Sequence, residues 1–193
     1  SEDVDVAVTP ARHMHVGSFF LQTRLKPGLA SLFRRAHALG MTTSLDAGWD
    51  ENARWQEYLP DVLRETDYFF PNESEAAAIS GKADPESGAR DIVRYGCTVV
   101  VKCGADGALL CTPGTNAQIL RQNAYCTHVV DTTGAGDSFN AGFLFARLRG
   151  LSLAECMQYG CATGAVSVTR TGGTTCCPTL PEILRTQEAG TVL

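Results

Sequence analysis

Several features that would mark other functional classes are missing from this sequence. No apolar run in its 193 residues approaches the length of a membrane span. The net charge is −5 and no basic cluster exceeds Arg34-Arg35, so nucleic acid is not an expected partner. The acidic start, Ser-Glu-Asp-Val-Asp, is unlike a secretory signal. We expect a soluble cytoplasmic enzyme with no membrane partner.

Paired Cys-x-x-Cys motifs are also missing, and this argues against a zinc site. The cysteines themselves are numerous: Cys97, Cys103, Cys111, Cys126, Cys156, Cys161, Cys176 and Cys177. Most of them fall within apolar strand or helix patterns. We therefore interpret them as small core residues of a protein in a reducing compartment.

Strand and helix patterns alternate along the chain. Strand patterns cover 13–18, 42–46, 68–70, 98–102, 108–111 and 117–120, and the last two resemble an antiparallel pair. Helix patterns cover 27–39, 54–64, 74–80, 86–95, the run through Phe139 and Phe143, 153–168 and a last segment from about 179. This alternation predicts an α/β fold with a mostly parallel sheet. Without repeats or linkers, residues 1–193 are expected to form a single domain.

The segment 131–144 reads Asp-Thr-Thr-Gly-Ala-Gly-Asp-Ser-Phe-Asn-Ala-Gly-Phe-Leu and carries the strongest chemical signal. Asp131 and Asp137 bracket a turn of small residues, Gly134-Ala135-Gly136, that leads into a helix pattern. Backbone N–H groups at a helix start attract anions. An acid beside a phosphate-binding turn favours phosphoryl transfer, with Asp137 taking a proton from an attacking hydroxyl. The alternative is that Asp137 only complements the helix dipole.

This segment resembles the second signature of the ribokinase-like (PfkB) carbohydrate kinase family. A second element of that family, Asn-x-x-Glu, is found at Asn72 and Glu75 after the strand pattern 68–70. The resemblance covers essentially the whole chain in the right order. It implies a three-layer α-β-α ribokinase-like fold and ATP-dependent phosphorylation of a sugar hydroxyl.

The resemblance also implies roles for individual residues. Asp137 would be the catalytic base. The amides of Gly134, Ala135 and Gly136 would hold the transferring phosphoryl group. Glu75, together with Asn72, would organise Mg²⁺ near the phosphates of ATP through water, since Mg²⁺ gives up its hydration reluctantly.

A third element, Lys102-Cys103-Gly104-Ala105-Asp106-Gly107, resembles the nucleotide loop of the family at Gly104 and Gly107. Glycines at this spacing also form ordinary tight turns. Lys102 would contact a phosphate, although a lysine at a strand end also extends its ammonium group into solvent.

A monovalent cation site is implied at the end of the chain. In several relatives Asp131 and Thr133 enclose K⁺ together with a loop that corresponds here to Ser167, Arg170 and Gly172. Cys176 occupies a position where a serine hydroxyl is common in the family. Because a thiol is a poor ligand for a hard cation, Cys176 argues against K⁺ activation.

One departure from the family concerns the start of the chain. Kinases of this family begin with a glycine-rich sugar-binding region and a small sheet that forms a lid, and the first residues here resemble the middle of such an enzyme. The chain is therefore expected to be the C-terminal, nucleotide-binding part. A nucleoside kinase of the same family and a nucleotide-binding module without activity are the alternatives, and a homodimer is left open.

Overall fold

A computed structural model describes residues 11–173 and 177–190 of the chain. The chain divides into two compact units. The first unit contains the described residues up to Val101 together with Leu110–Ile119, and the second contains Lys102–Leu109 and the described residues from Leu120 onward. The single domain expected over 1–193 stays a prediction.

The strands form one mixed sheet in the order β1-β2-β3-β4-β5-β6. They are β1 (His13–Val16), β2 (Thr42–Leu45), β3 (Tyr68–Phe69), β4 (Thr98–Lys102), β5 (Ala108–Cys111) and β6 (Ile119–Gln122). Strands β1 to β4 pair in parallel. The short segment 112–118 joins β5 to its neighbour β6, and Thr112 N donates to Gln118 O at 3.1 Å. A connection this short joins only antiparallel strands, so the predicted α/β class and the final pair are confirmed.

The helices follow the predicted alternation. They are α1 (Lys26–Ala38), α2 (Leu59–Leu63), α3 (Glu73–Ser80), α4 (Pro85–Ile92), α5 (Ala135–Leu148), α6 (Leu153–Ser167) and α7 (Leu180–Ala189). Proline lies in the first turn of α1, α2, α4 and α7, where its missing N–H would have no helical partner. The predicted helix 86–95 is α4 followed by a 3₁₀ turn at Val93–Tyr95. Within the described residues, no helix has the length and apolar character that a membrane span needs.

Helix α2 is much shorter than the predicted 54–64. Ala53 and Tyr58 have φ angles of 52° and 62°, in the left-handed region that a helix excludes. The buried Asp50 carboxylate accepts hydrogen bonds from the N–H groups of Asn52 and Arg54, at 3.1 and 2.5 Å. These local bonds compete with helix formation, so the helix begins only at Leu59.

The core of the first unit follows from helical and strand periodicity. Leu29, Leu32, Phe33 and Ala36 lie on one stripe of α1 and are buried. Strand β4 is buried on both faces, since Val99, Val100 and Val101 are all 0% exposed. Each such side chain stabilises the fold by about 1.5–3 kcal/mol relative to an exposed position.

Most cysteines behave as the predicted core residues. Five of them are buried and form no disulfide: Cys97, Cys103, Cys111, Cys156 and Cys161. Burial raises the pKa of the Cys97 and Cys161 thiols to about 12, because a thiolate would lose its hydration. These side chains therefore remain neutral thiols, which pack as small apolar groups.

In the second unit, α5 and α6 approach so closely that glycine is required between them. A Cβ atom on Gly142 would lie 2.2 Å from Thr163 Oγ1 and 2.7 Å from Tyr159 O. One on Gly160 would lie 2.9 Å from the Phe139 ring. The missing side chains thus set the distance between the two helices.

The substitution Gly142→Ala should destabilise the fold, because the new methyl group overlaps backbone and hydroxyl atoms of α6. The expected loss in free energy of unfolding is about 1–3 kcal/mol, measured by urea denaturation followed by circular dichroism. Gly164→Ala is the matched control, since its Cβ would lie 3.6 Å from Ala135 O, an ordinary contact. Equal unfolding free energies for the two variants would contradict the close helix approach.

Candidate functional site

The glycine turn places unpartnered helix amides at the start of α5. Gly134 is the N-cap residue, with φ of 75°, and it has no side chain that could cap the helix. Ala135 N donates to Thr132 O at 3.1 Å, so this amide already serves the turn. Within the part of the chain that the structure describes, the next two first-turn amides, those of Gly136 and Asp137, have no hydrogen-bond partner. Amides in this state at a helix start can bind an anion, and the anion site itself stays a prediction.

Close backbone packing explains why positions 134 and 173 are glycine. A Cβ on Gly134 would lie 3.0 Å from Gly173 O. A Cβ on Gly173 would lie 3.0 Å from Thr133 Cγ2 and 3.2 Å from Thr133 O. The loop after α6 therefore packs directly on the turn before α5.

The Asp131 carboxylate ties these two segments together. It accepts hydrogen bonds from Thr133 N and Gly172 N, both at 2.9 Å. Donation by the Gly172 and Thr133 amides, and by the Thr133 hydroxyl, lowers the pKa of Asp131. In addition, Val168 O accepts from Val130 N at 2.8 Å and from Asp131 N at 3.2 Å.

Hydrogen bonds join three residues of the predicted K⁺ set. Asp131, Thr133 and Gly172 are neighbours through the bonds above. The Ser167 hydroxyl donates to Gly164 O at 2.8 Å, and Arg170 pairs with Glu182. Cys176 lies outside the described residues, and the K⁺ site stays a prediction.

Lys102 lies beside the helix start. A Cβ on Gly136 would be 3.3 Å from Lys102 Nζ, so the ammonium group lies against the first turn of α5. The N-terminal end of a helix carries partial positive charge, and the ammonium group adds to the positive potential there. Two positive groups thus converge on one place, which favours a bound anion.

The loop 104–107 packs backbone against backbone. Gly107 has φ of 85°, and its Cβ would lie 2.0 Å from Gln122 O and 2.6 Å from Ala124 N. No side chain fits at this position. Gly104 has φ of 55° with open space around it, so backbone conformation alone favours glycine there.

A cavity of about 420 Å³ lies within the second unit. Its polar and small lining residues include Lys102, Gly104, Gly107, Ala135 and Gly136. The rest is largely apolar and includes Tyr125, Val129, Phe139, Cys161, Ala165 and Val168. A cavity of this volume, with a few converging polar groups, is typical of a small-molecule site. The apolar part is not predictable from motifs, because 124–129 has no recognisable spacing.

Asp137 lies in the first turn of α5, where its side chain is exposed. It makes no hydrogen bond or ion pair with the described residues. A carboxylate in this state can accept a proton from a hydroxyl that comes within reach.

Asn72 and Glu75, in the first unit, form a capping box at the start of α3. Glu75 N donates to Asn72 Oδ1 at 2.8 Å, and Asn72 N donates to Glu75 Oε2 at 2.9 Å. Glu75 is only 5% exposed. Sequence reasoning took the pair as metal-organising residues, although the same spacing is also a helix-start signature. No cluster of three or more His, Cys, Asp or Glu that could hold a metal occurs within 11–173 and 177–190.

Proteins that are similar to this chain in sequence and fold include kinases of small molecules. A 1-phosphofructokinase of Haloferax volcanii is 35% identical over 173 residues, covering 84% of this chain and 53% of that protein. Aminoimidazole riboside kinase from Salmonella enterica, complexed with aminoimidazole riboside and an ATP analogue, superposes with a TM-score of 0.79 at 26% identity. That superposition covers 91% of this chain and 62% of the kinase.

A fructokinase from Vibrio cholerae O395, bound to fructose, ADP and calcium ion, gives a TM-score of 0.75 at 25% identity. The superposition covers 90% of this chain and 59% of the fructokinase. The chain thus spans about half the length of the Haloferax relative and somewhat more of the two solved kinases. Residues 1–180 match the family model described as pfkB family carbohydrate kinase. The chain belongs to the pfkB family of carbohydrate kinases.

Proposed function

We propose that this chain binds ATP and serves in phosphoryl transfer to a hydroxyl group of a sugar. The observation that carries the proposal is the position of Lys102 Nζ against Gly136 at the start of α5. An ammonium group and a helix N-terminus favour the negative charge of nucleotide phosphates. The apolar part of the same cavity suits the adenine ring of ATP, because burial of its faces against apolar side chains is favourable.

Asp137 acts as the general base in this proposal. Its exposed carboxylate belongs to the same helix turn whose amides would hold the transferring phosphoryl group. As the acceptor hydroxyl attacks, Asp137 takes its proton, while the amides and Lys102 stabilise negative charge on the phosphoryl oxygens. In this proposal the general base and the phosphoryl-binding amides thus belong to one short segment.

Mg²⁺ would neutralise charge on the ATP phosphates. Glu75 would act on Mg²⁺ through water, since Mg²⁺ gives up its hydration reluctantly, and the capping bond from Asn72 N to Glu75 Oε2 would hold the carboxylate in place.

A nucleoside acceptor is the second candidate, since the Salmonella relative described above is complexed with a riboside. A nucleotide-binding module without turnover is the third candidate.

Removal of the Lys102 ammonium group should weaken binding of phosphate-bearing ligands only. Lys102→Met is expected to lower ADP affinity by roughly 10–100-fold, the effect of a lost charged hydrogen bond, and to leave adenosine affinity unchanged. Calorimetry on the 193-residue chain measures both. Lys82→Met, at an exposed lysine after α3, is the control. Equal losses for ADP and adenosine would mean that Lys102 supports the fold instead.

Glu75→Gln separates the metal role of Glu75 from its capping role. Glutamine also completes a capping box, so the free energy of unfolding should stay the same, whereas Glu75→Ala should lose about 1 kcal/mol. If Glu75 acts on Mg²⁺, the glutamine variant should need more Mg²⁺ for half-maximal ATP binding. An unchanged Mg²⁺ dependence would assign Glu75 to the cap alone.

Asp137→Asn should slow turnover strongly without loss of nucleotide affinity. In a protein that joins this chain to a sugar-binding region, kcat should fall by ~10² or more while ADP affinity is retained or slightly increased. The chain alone is expected to show no sugar-dependent ADP release, since nothing described in it positions a sugar. A coupled ADP-release assay over a sugar panel measures both. Near-normal kcat in the variant would exclude Asp137 as the base.

A further inference from the structure

A second cavity, of about 310 Å³, lies between α6 and α7 in the second unit. Its lining includes apolar Ala165 and Val166 and the charged side chains of Arg170, Glu182 and Arg185. It thus combines apolar walls with a charged rim, and none of the roles proposed above uses it.

The charges around the second cavity leave one guanidinium available. The Glu182 carboxylate pairs with Arg170 and also accepts from Thr179 N at 2.8 Å and Thr179 Oγ1 at 2.6 Å. Arg185 is exposed and makes no hydrogen bond or ion pair with the described residues. The residues that line the second cavity thus include two arginines and one carboxylate, so the lining carries a net positive charge.

The second cavity is connected to the nucleotide cavity in two ways. Cys126, Thr127 and Ala165 line both of them, so the cavities share a wall. Arg170 also lies between two anchors of Asp131: Val168 O accepts from Asp131 N, and Gly172 N donates to Asp131 Oδ2. A displacement of Arg170 would therefore be transmitted to the segment that begins the phosphate-binding turn.

We propose that the second cavity binds a small organic anion, a carboxylate or a phosphate ester, at Arg185, and that this binding changes nucleotide affinity. A guanidinium group matches the planar, two-oxygen edge of either anion. The apolar walls would cover a short carbon skeleton. Only the coupling rests on the proposed function, because anion binding at Arg185 requires no nucleotide.

Binding is tested by calorimetric titration of the 193-residue chain with citrate and with inorganic phosphate, at an ionic strength fixed with chloride. Saturable binding is expected, weakened roughly 10-fold or more in Arg185→Gln and largely restored in Arg185→Lys. Stronger binding of citrate or of phosphate identifies the preferred chemistry. Arg35→Gln removes one exposed arginine from the first unit and should bind like the unaltered chain. Equal binding by Arg185→Gln, or no saturable binding, overturns the proposal.

Coupling is tested with a fluorescent ADP analogue in the presence and absence of saturating anion. The Kd for the analogue should shift by roughly 5-fold or more, and the shift should be lost in Arg185→Gln but kept in Arg35→Gln. Nucleotide binding without a shift overturns the coupling. Absence of nucleotide binding before any anion is added contradicts the proposed function and the coupling with it, whereas anion binding at Arg185 is decided by calorimetry alone.

Discussion

The second unit depends on the carboxylate of Asp131. Its oxygens accept hydrogen bonds from the amides of Thr133 and Gly172. The backbone amide of Asp131 donates to Val168 O. These bonds join the segment before α5 to the loop after α6, two parts of the chain that are distant in sequence. Hydrogen bonds to an ionised group contribute more than bonds between neutral groups. The turn before α5 is held in place by this attachment.

Helix packing then gives the turn its surroundings. Because Gly142 and Gly160 allow α5 and α6 to touch, Phe139 on one helix and Cys161 and Ala165 on the other reach the same cavity. Larger residues at the glycine positions would separate these walls. The cavity is therefore a product of missing side chains as much as of the side chains that line it.

The sequence predicted the turn well because its chemistry is local: helix start, glycine conformations and acid all lie within a few residues. The order of strands and helices was also predicted, since the apolar periodicities are strong. Helix α2 was wrong in length because the buried Asp50 imposed a local turn that periodicity does not record. The apolar walls at 124–129 and on α6 were missed, because contact between distant segments has no signature in a single sequence. Asn72 and Glu75 were found by spacing, yet one spacing serves a cap and a metal alike.

The contact of Gly107 with Gln122 O and Ala124 N limits how this family member can diverge. Where two backbones touch, no amino-acid exchange can enlarge or reshape that side of the cavity without parting the strands. New ligand preferences must therefore arise at positions that carry side chains, such as Tyr125, Val129 and Ala165. Evolution or design would change the apolar wall of the cavity while the side at Gly107 stays constant.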